Sequence, residues 1–244
     1  MAVRDSYLFL LQEGHLFRSC LTHGLTALRN STMGAKGLYY TAFFQLSIGF
    51  ERLMKAIFIL DHMAKNGLAT PTGKQLRDHS HDLISLLASL KSMSVSGADH
   101  SLDAIAQSSV TYEILHFLSE FAKHARYYNL DSLTLSQSGS DPLANWHVIV
   151  ARILREDVPD KRKQRIDQTA QAIASAISGS TSVVAYGLDK QELDMQQYLS
   201  LPRLQETAGS YAVFHVFEWF VPLKNLLASA RPKLGLSREV AKEI

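Results

Sequence analysis

A single cysteine, Cys20, stands in the whole chain. An internal disulfide framework and a CxxC metal site are therefore excluded, and the usage fits a reducing, cytoplasmic compartment. Proline (6) and glycine (13) are sparse for 244 residues, which disfavours a turn-rich all-β fold and a disordered chain. Charge of one sign is also missing. The formal net charge of +2 does not advertise nucleic-acid binding, so any such footprint must be a local patch. The apolar run near the amino terminus is interrupted by Gln12 and Glu13 and is too short for a signal peptide. The stretch from Tyr39 to Leu60 is longer, but Glu51, Arg52 and Lys55 near its middle make a lipid-facing span expensive. No membrane association is expected. The chain has no H-E-x-x-H, G-x-S-x-G, Walker or G-x-G-x-x-G motif. The commonest zinc-protease, hydrolase and nucleotide-binding readings fall with them, and no cofactor is expected.

What is present is helical periodicity. Hydrophobic residues at 46% and charged residues at 20% are ordinary globular values, so a sizeable core is available. Leu46, Phe50, Leu53, Met54, Ile57, Leu60 and Ala64 recur at steps of three and four within Tyr39–Lys65. Phe43, Phe44, Ile48, Phe58 and Ile59 fall off that stripe, so more than one face is apolar and this helix is central. Glu51 and Lys55 lie four apart on it, acid before base, with His62 on the same line. They form either an ordinary ion pair on a part-exposed strip or a polar seam facing a cleft.

The same reasoning places a helix over 14–32, weakened by Gly24, and ends the central helix at Asn66-Gly67. A loop over 66–79 leads to a helix near 80–90 with Ser80 as its N-cap and Asp82 at the positive end of its dipole. A long helix is expected over 102–128. Asp141-Pro142 starts another, which breaks near Pro159, and a further one runs from Asp160 to Gly179. The corner at 152–165 is rich in arginine and lysine, as either a solvated helix junction or a phosphate-contacting patch. Residues 180–188 are the only candidate strand. Helices over 189–199 and 201–230 follow, with a break at Pro222. Tyr211, Phe214, Phe217 and Phe220 make an aromatic stripe suited to the core or to a dimer interface.

Carboxylates and imidazoles concentrate on two of these helices. Glu113, His116, Glu120 and His124 are separated by three, four and four residues and share a face. Glu113-x-x-His116 is the unit that dinuclear metal bundles use twice, but no second E-x-x-H exists here. Arginine can fork onto a phosphate and histidine can transfer a proton near neutral pH. Glu51, Lys55 and His62 on one helix, with His116, Glu120, His124 and Arg126 on the other, could hold a phosphodiester if they converge in one groove.

Four pieces of sequence resemble the HEPN-like superfamily of helical bundles. Gly49-Phe50-Glu51-Arg52-Leu53-Met54-Lys55-Ala56 is similar to its central E-x3-K helix. Ser80-His81-Asp82-Leu83 with Leu86-Leu87 is similar to the H-D-L start of its next helix. Phe117-Leu118-Ser119-Glu120-Phe121, leading into Ala125-Arg126-Tyr127, is similar to the R-Y ending of its third helix. The order and spacing also fit, over roughly residues 14–155. The resemblance implies an all-α, up-down helical bundle core over 1–155. Residues 156–244 would then be a C-terminal helical extension that packs on the core or forms a dimer interface, in one compact domain. It implies an RNA- or nucleotide-interacting homodimer in a bacterial stress or defence setting. Many HEPN-like ribonucleases are metal-independent and pair an R-x4-6-H motif across the dimer. Here Leu130-Asp131-Ser132-Leu133 follow Arg126 at that distance, and none is histidine. Arg126 carries over as a phosphate-facing arginine, with His124 as a substitute base from the preceding turn. Lys55, Arg52, Tyr127 and His81 are the expected phosphate or nucleotide contacts, and Glu51, Glu120 and Asp131 support them. Arg18-x4-His23 has the family spacing in the wrong helix.

Two competing readings stay open: a non-catalytic protein that dimerises or docks a protein partner through its aromatic carboxy-terminal helix, and a metal-holding bundle built on Glu113 and His116.

Overall fold

The structure is a computed structural model that describes residues 3–95, 102–135, 139–177 and 183–230. Helix α1 spans Val3–Asn30 and, after a short 3-10 turn at Met33–Ala35, α2 spans Lys36–Lys65. These two form the long spine. Gln12 and Glu13 do not end the first helix, which starts eleven residues before the expected 14. Glu13 is used there as the partner of Arg52 on α2. At the other end of α2, Gly67 takes φ +60 and Leu68 N–H donates to the Met63 carbonyl (2.9 Å), the pattern of a Schellman stop.

The α1–α2 contact is close because glycines face leucines in both directions. A Cβ on Gly24 would lie 2.7 Å from Leu46 Cγ, and one on Gly49 would lie 2.8 Å from Leu21 Cγ. Each glycine is the hole that receives the other helix's leucine. Gly24, expected only to weaken its helix, is a packing residue.

The loop after α2 contains a short α3, Gly73–Arg77, closed by a Thr72–Gln75 capping box. Helix α4 spans Leu83–Val95. Its N-cap is Asp82 and not Ser80: Asp82 Oδ1 accepts from the Ile84 and Ser85 N–H groups, both at 3.0 Å. Helix α5 spans Val110–Glu120, so the expected helix over 102–128 begins eight residues late, at a Ser109 cap. It then widens into a π-helical turn at Phe121–Ala125, and a short α6 follows at Tyr128–Leu133. Helix α7 spans Pro142–Glu156 behind its Asp141 cap, and α8 spans Asp160–Ile177.

Helix α9 spans Met195–Glu218 and runs straight through Pro202, where a boundary was expected. Helix α10, Phe220–Ala230, begins at the break. The interruption falls at Trp219, and Pro222 lies in the first turn of α10, where its missing N–H costs nothing. Among the described residues no β-strand occurs. The candidate strand reduces to one antiparallel bridge between Tyr186 and Glu192, and residues 180–182 lie outside the described part.

The fold is therefore all-α. Helix α2 is central, and Leu46, Phe50, Leu53, Met54, Ile57 and Leu60 of its predicted stripe are buried. Phe43 anchors an aromatic cluster with Phe117 (4.7 Å), Trp146 (5.3 Å) and Phe121 (5.4 Å). Helix α9 packs against α1, α5, α7 and α8, and α10 packs against α2. One core cluster joins Leu28, Phe43 and Trp146 to Ala208, Val216 and Trp219, so both halves of the chain share it. No helix among the described residues is long and apolar enough to cross a membrane.

Candidate functional site

The central helix presents Glu51, Arg52 and Lys55 to a cleft of about 440 Å³. Its walls also include Glu13 of α1, Leu76 of α3, His81 before α4 and Arg126 after the π turn. The chain thus brings together Glu51, Arg52, Lys55, His81 and Arg126, five of the residues singled out in the sequence.

Glu51 is the hub. Its Oε1 accepts from Lys55 Nζ (2.7 Å), and its Oε2 lies 2.9 Å from His81 Nδ1. Burial pushes the Glu51 carboxyl up, but the hydrogen bonds from Lys55 and His81 outweigh it, and the group stays below its ordinary range. A carboxylate only accepts, so His81 Nδ1 donates to Glu51, and in the neutral imidazole Nε2 is then the acceptor. Lys55 Nζ donates also to the Ser80 carbonyl (2.9 Å). Ser80 holds φ +43, an uncommon conformation for a residue with a side chain, and this turn aims its carbonyl and His81 back at α2. Lys55 is therefore a brace between α2 and the His81 turn. Arg52 is likewise committed, through two bonds from Nη1 to the Glu13 carboxylate (2.8 and 2.6 Å). The Glu13 hydrogen bond raises the Arg52 guanidinium above its ordinary value.

Arg126 is different. Its Nε and Nη2 are out of water and have no hydrogen-bond partner. A desolvated guanidinium edge without an acceptor is costly, and it belongs to a residue that also lines the cleft. The π turn sets its direction. One extra residue in a turn rotates the chain beyond it by about 100° relative to a continuous α-helix. Arg126 thereby swings toward α2.

Below this, the turn is held by a polar clamp. Ser119 Oγ accepts from Leu83 N–H (3.0 Å) and donates to Asp82 Oδ1 (3.1 Å). Lys123 Nζ bonds Asp82 (3.2 Å) and Glu120 (2.7 Å). Burial raises the Asp82 carboxyl, but bonds from Ser85, Lys123 and Ser119 bring it below the ordinary range.

The same rotation separates the other predicted residues. Glu113, His116 and Glu120 share the α5 face, but His124 lies within the wide turn and is exposed, against Gly139 and outside the cleft. Tyr127 is 67% exposed, and neither it nor Asp131 lines the cleft. Glu120 is occupied by Lys123 and does not line the cleft either. His62 is half-buried elsewhere on α2. Glu113 is engaged by Arg152 (2.7 Å), and His116 is exposed. Among the described residues no three His, Cys, Asp or Glu side chains are grouped to hold a metal ion. Cys20 is a half-buried free thiol.

Periodicity could not find a second polar cluster, because its members lie far apart in sequence. His215 Nε2 meets Asp157 (3.0 Å) and its Nδ1 meets Thr111 Oγ1 (2.9 Å). Thr111 Oγ1 also donates to Glu218, and Trp219 Nε1 donates to the Thr111 carbonyl (3.0 Å). The order resembles a hydroxyl–imidazole–carboxylate relay. Thr111 is buried and lines neither this cleft nor any other described one, so the cluster pins α5, the end of α7 and α9 together.

Comparison of the chain with protein-family models, with curated proteins and with solved structures finds no match. The fold and the cleft define a class: an all-α bundle with a partly unpartnered arginine beside a braced carboxylate–imidazole pair.

Proposed function

We propose that this chain is an HEPN-like RNA- or nucleotide-interacting protein whose cleft receives a phosphate on Arg126. The observation that carries the reading is that Arg126 lines the cleft with Glu51, Lys55 and His81 while its buried Nε and Nη2 have no hydrogen-bond partner. Rotation of the side chain into the cleft would let a phosphate oxygen pair accept two parallel N–H bonds from this Nε–Nη2 edge. Lys55 adds positive potential while bracing the wall.

Metal-independent cleavage of an RNA phosphodiester needs one base for the ribose 2′-hydroxyl. His81 is the imidazole in the cleft, with Glu51 holding its tautomer and Nε2 as the proton acceptor. The 2′-oxygen would then attack phosphorus, the 5′-oxygen would leave and take up a proton, and a cyclic phosphate would remain. His124, the base expected from sequence, stands outside this arrangement.

The test is binding of a short labelled RNA and of ATP in divalent-free buffer. Arg126→Ala should weaken one or both by about ten-fold or more. Equal affinity for wild type and Arg126→Ala would sink the reading. Cleavage, if present, should yield a cyclic-phosphate end and disappear in His81→Ala.

A second reading is favoured by one surface. Phe220 of the predicted aromatic stripe stacks on Phe50 (5.8 Å), and Tyr211 is half-buried, but Phe214 and Phe217 are 61% and 53% exposed. That ridge suits docking of a second copy of the chain. Light scattering should then show a dimer that Phe214→Glu dissociates, and a strict monomer at all concentrations would remove this reading.

A further inference from the structure

The largest described cleft lies elsewhere, between the end of α1, α8 and α9, with a volume of about 820 Å³. It shares no lining residue with the Arg126 cleft. Four arginines border it: Arg29, Arg162, Arg165 and Arg203. Glu206 is the one acid on its wall, and it is taken by Arg203 (3.1 Å). No side-chain hydrogen bond or ion pair holds Arg29, Arg162 or Arg165 among the described residues. Arg18 and Arg77 are likewise without an ion pair among the described residues, but others are held. Arg52 has Glu13, while Arg152 and Arg155 share Glu156.

The placement of Arg162 and Arg165 opposes helix stability. They lie three apart on one face, where like charges repel. Arg162 sits in the first turn of α8, beside the positive end of the helix dipole. Lys163, between them, is neutralised by Asp160 (2.9 Å) and bonds the Leu154 carbonyl. Arg29 brings a third cation from the last turn of α1. Behind the charges the wall is mixed, with Ile166, Ala170 and Leu199 beside Thr169, Thr207 and Ser210. A cleft lined by charges of one sign concentrates positive potential. The cavity volume falls within the roughly 300–1,000 Å³ of small-molecule sites.

We infer that this cleft is a second anion site, which takes a ligand carrying two or more neighbouring phosphates on Arg29, Arg162 and Arg165. Three guanidiniums from two helices exceed what one small anion needs, whereas successive phosphates can engage them separately. A bound polyanion would also relieve the repulsion between Arg162 and Arg165. The inference does not depend on the reading of the Arg126 cleft.

The experiment is calorimetric titration of the full chain with inorganic tripolyphosphate, in low-salt, divalent-free buffer. Wild type should bind. The double variant Arg162→Ala/Arg165→Ala should lose about ten-fold or more in affinity, and Arg29→Ala should weaken it in the same direction. Arg162→Lys/Arg165→Lys should recover part of the loss, because charge returns without the planar fork. The alanine double variant should melt no lower than wild type, since it removes like charges, and this separates lost binding from lost fold. Competition by ATP, or by a single-stranded ribo-oligonucleotide with a 5′-hydroxyl, distinguishes contiguous phosphates from spaced phosphodiesters, and either competitor upholds the site. No heat with tripolyphosphate up to about 1 mM, or equal binding by the alanine double variant, overturns it. Binding lost in Arg126→Ala alone would move tripolyphosphate to the other cleft. That result overturns the second site while leaving the Arg126 reading intact.

Discussion

Arg126 carries a stability cost that its neighbours do not share. Arg52 and Arg152 have carboxylates, but two nitrogens of Arg126 are desolvated without an acceptor. Arg126→Met keeps much of the stem and removes the orphaned donors. It should raise stability by about 1 kcal/mol in urea unfolding while abolishing phosphate binding in the Glu51–His81 cleft. An unchanged or lowered stability would show that the guanidinium is satisfied in solution. Glu51 works in the opposite sense. Its folded carboxyl lies below its ordinary value of 4.5, so its contribution is complete above that value and lost as pH falls through the folded one. The stability gap between wild type and Glu51→Gln should be constant above about pH 5 and shrink toward pH 3. Denaturant titrations along that range measure it.

Legibility at this scale was uneven. Glu51, Arg52, Lys55, His81 and Arg126 were nameable from their patterns, and all five line one cleft. Which of them is free was not nameable. Pairing of Arg52 with Glu13 and of His81 with Glu51 spans 39 and 30 residues, beyond any local periodicity.

Among elements, the α1–α2 spine is the most sharply specified. Gly49→Ala would place a methyl 2.8 Å from Leu21 Cγ and 3.2 Å from the Leu21 backbone nitrogen. Overpacking costs about 1–3 kcal/mol, and the better helix propensity of alanine returns up to about 1. A net loss of about 1–2 kcal/mol is expected in urea unfolding. A gain would mean that the helices separate easily. The sequence announced α2 through its period and α7 through Asp141-Pro142, because both signals are local. It did not announce the π turn, which has no residue signature, and so His124 and Arg126 were assigned to one region when they part. Nor did it announce the passage of α9 through Pro202. A proline inside a helix costs about 3 kcal/mol, and packing of α9 on five other helices outweighs it.

For the whole molecule, the Thr111–His215–Asp157 cluster joins the two ends of the chain's core. His215→Ala would leave Asp157 and Thr111 short of a partner and remove the imidazole that bonds both the Asp157 and Glu218 carboxylates. A loss of about 1–3 kcal/mol is expected, seen as a melting temperature lower by several degrees. The shared core predicts one cooperative transition, so the variant should shift the entire melt and create no second step. A separate early transition would show that residues after 156 fold as an independent unit.

The two tryptophans give this architecture an optical readout. Trp146 sits in the Phe43 cluster on α7, and Trp219 sits at the α9–α10 break, each almost fully removed from water. Both should emit in the blue in the native state and shift red when their surroundings admit water. Replacing either with phenylalanine leaves a single emitter, one reporting on the central helix and the other on the carboxy-terminal half. Together they allow the opening of each region to be timed by its own light.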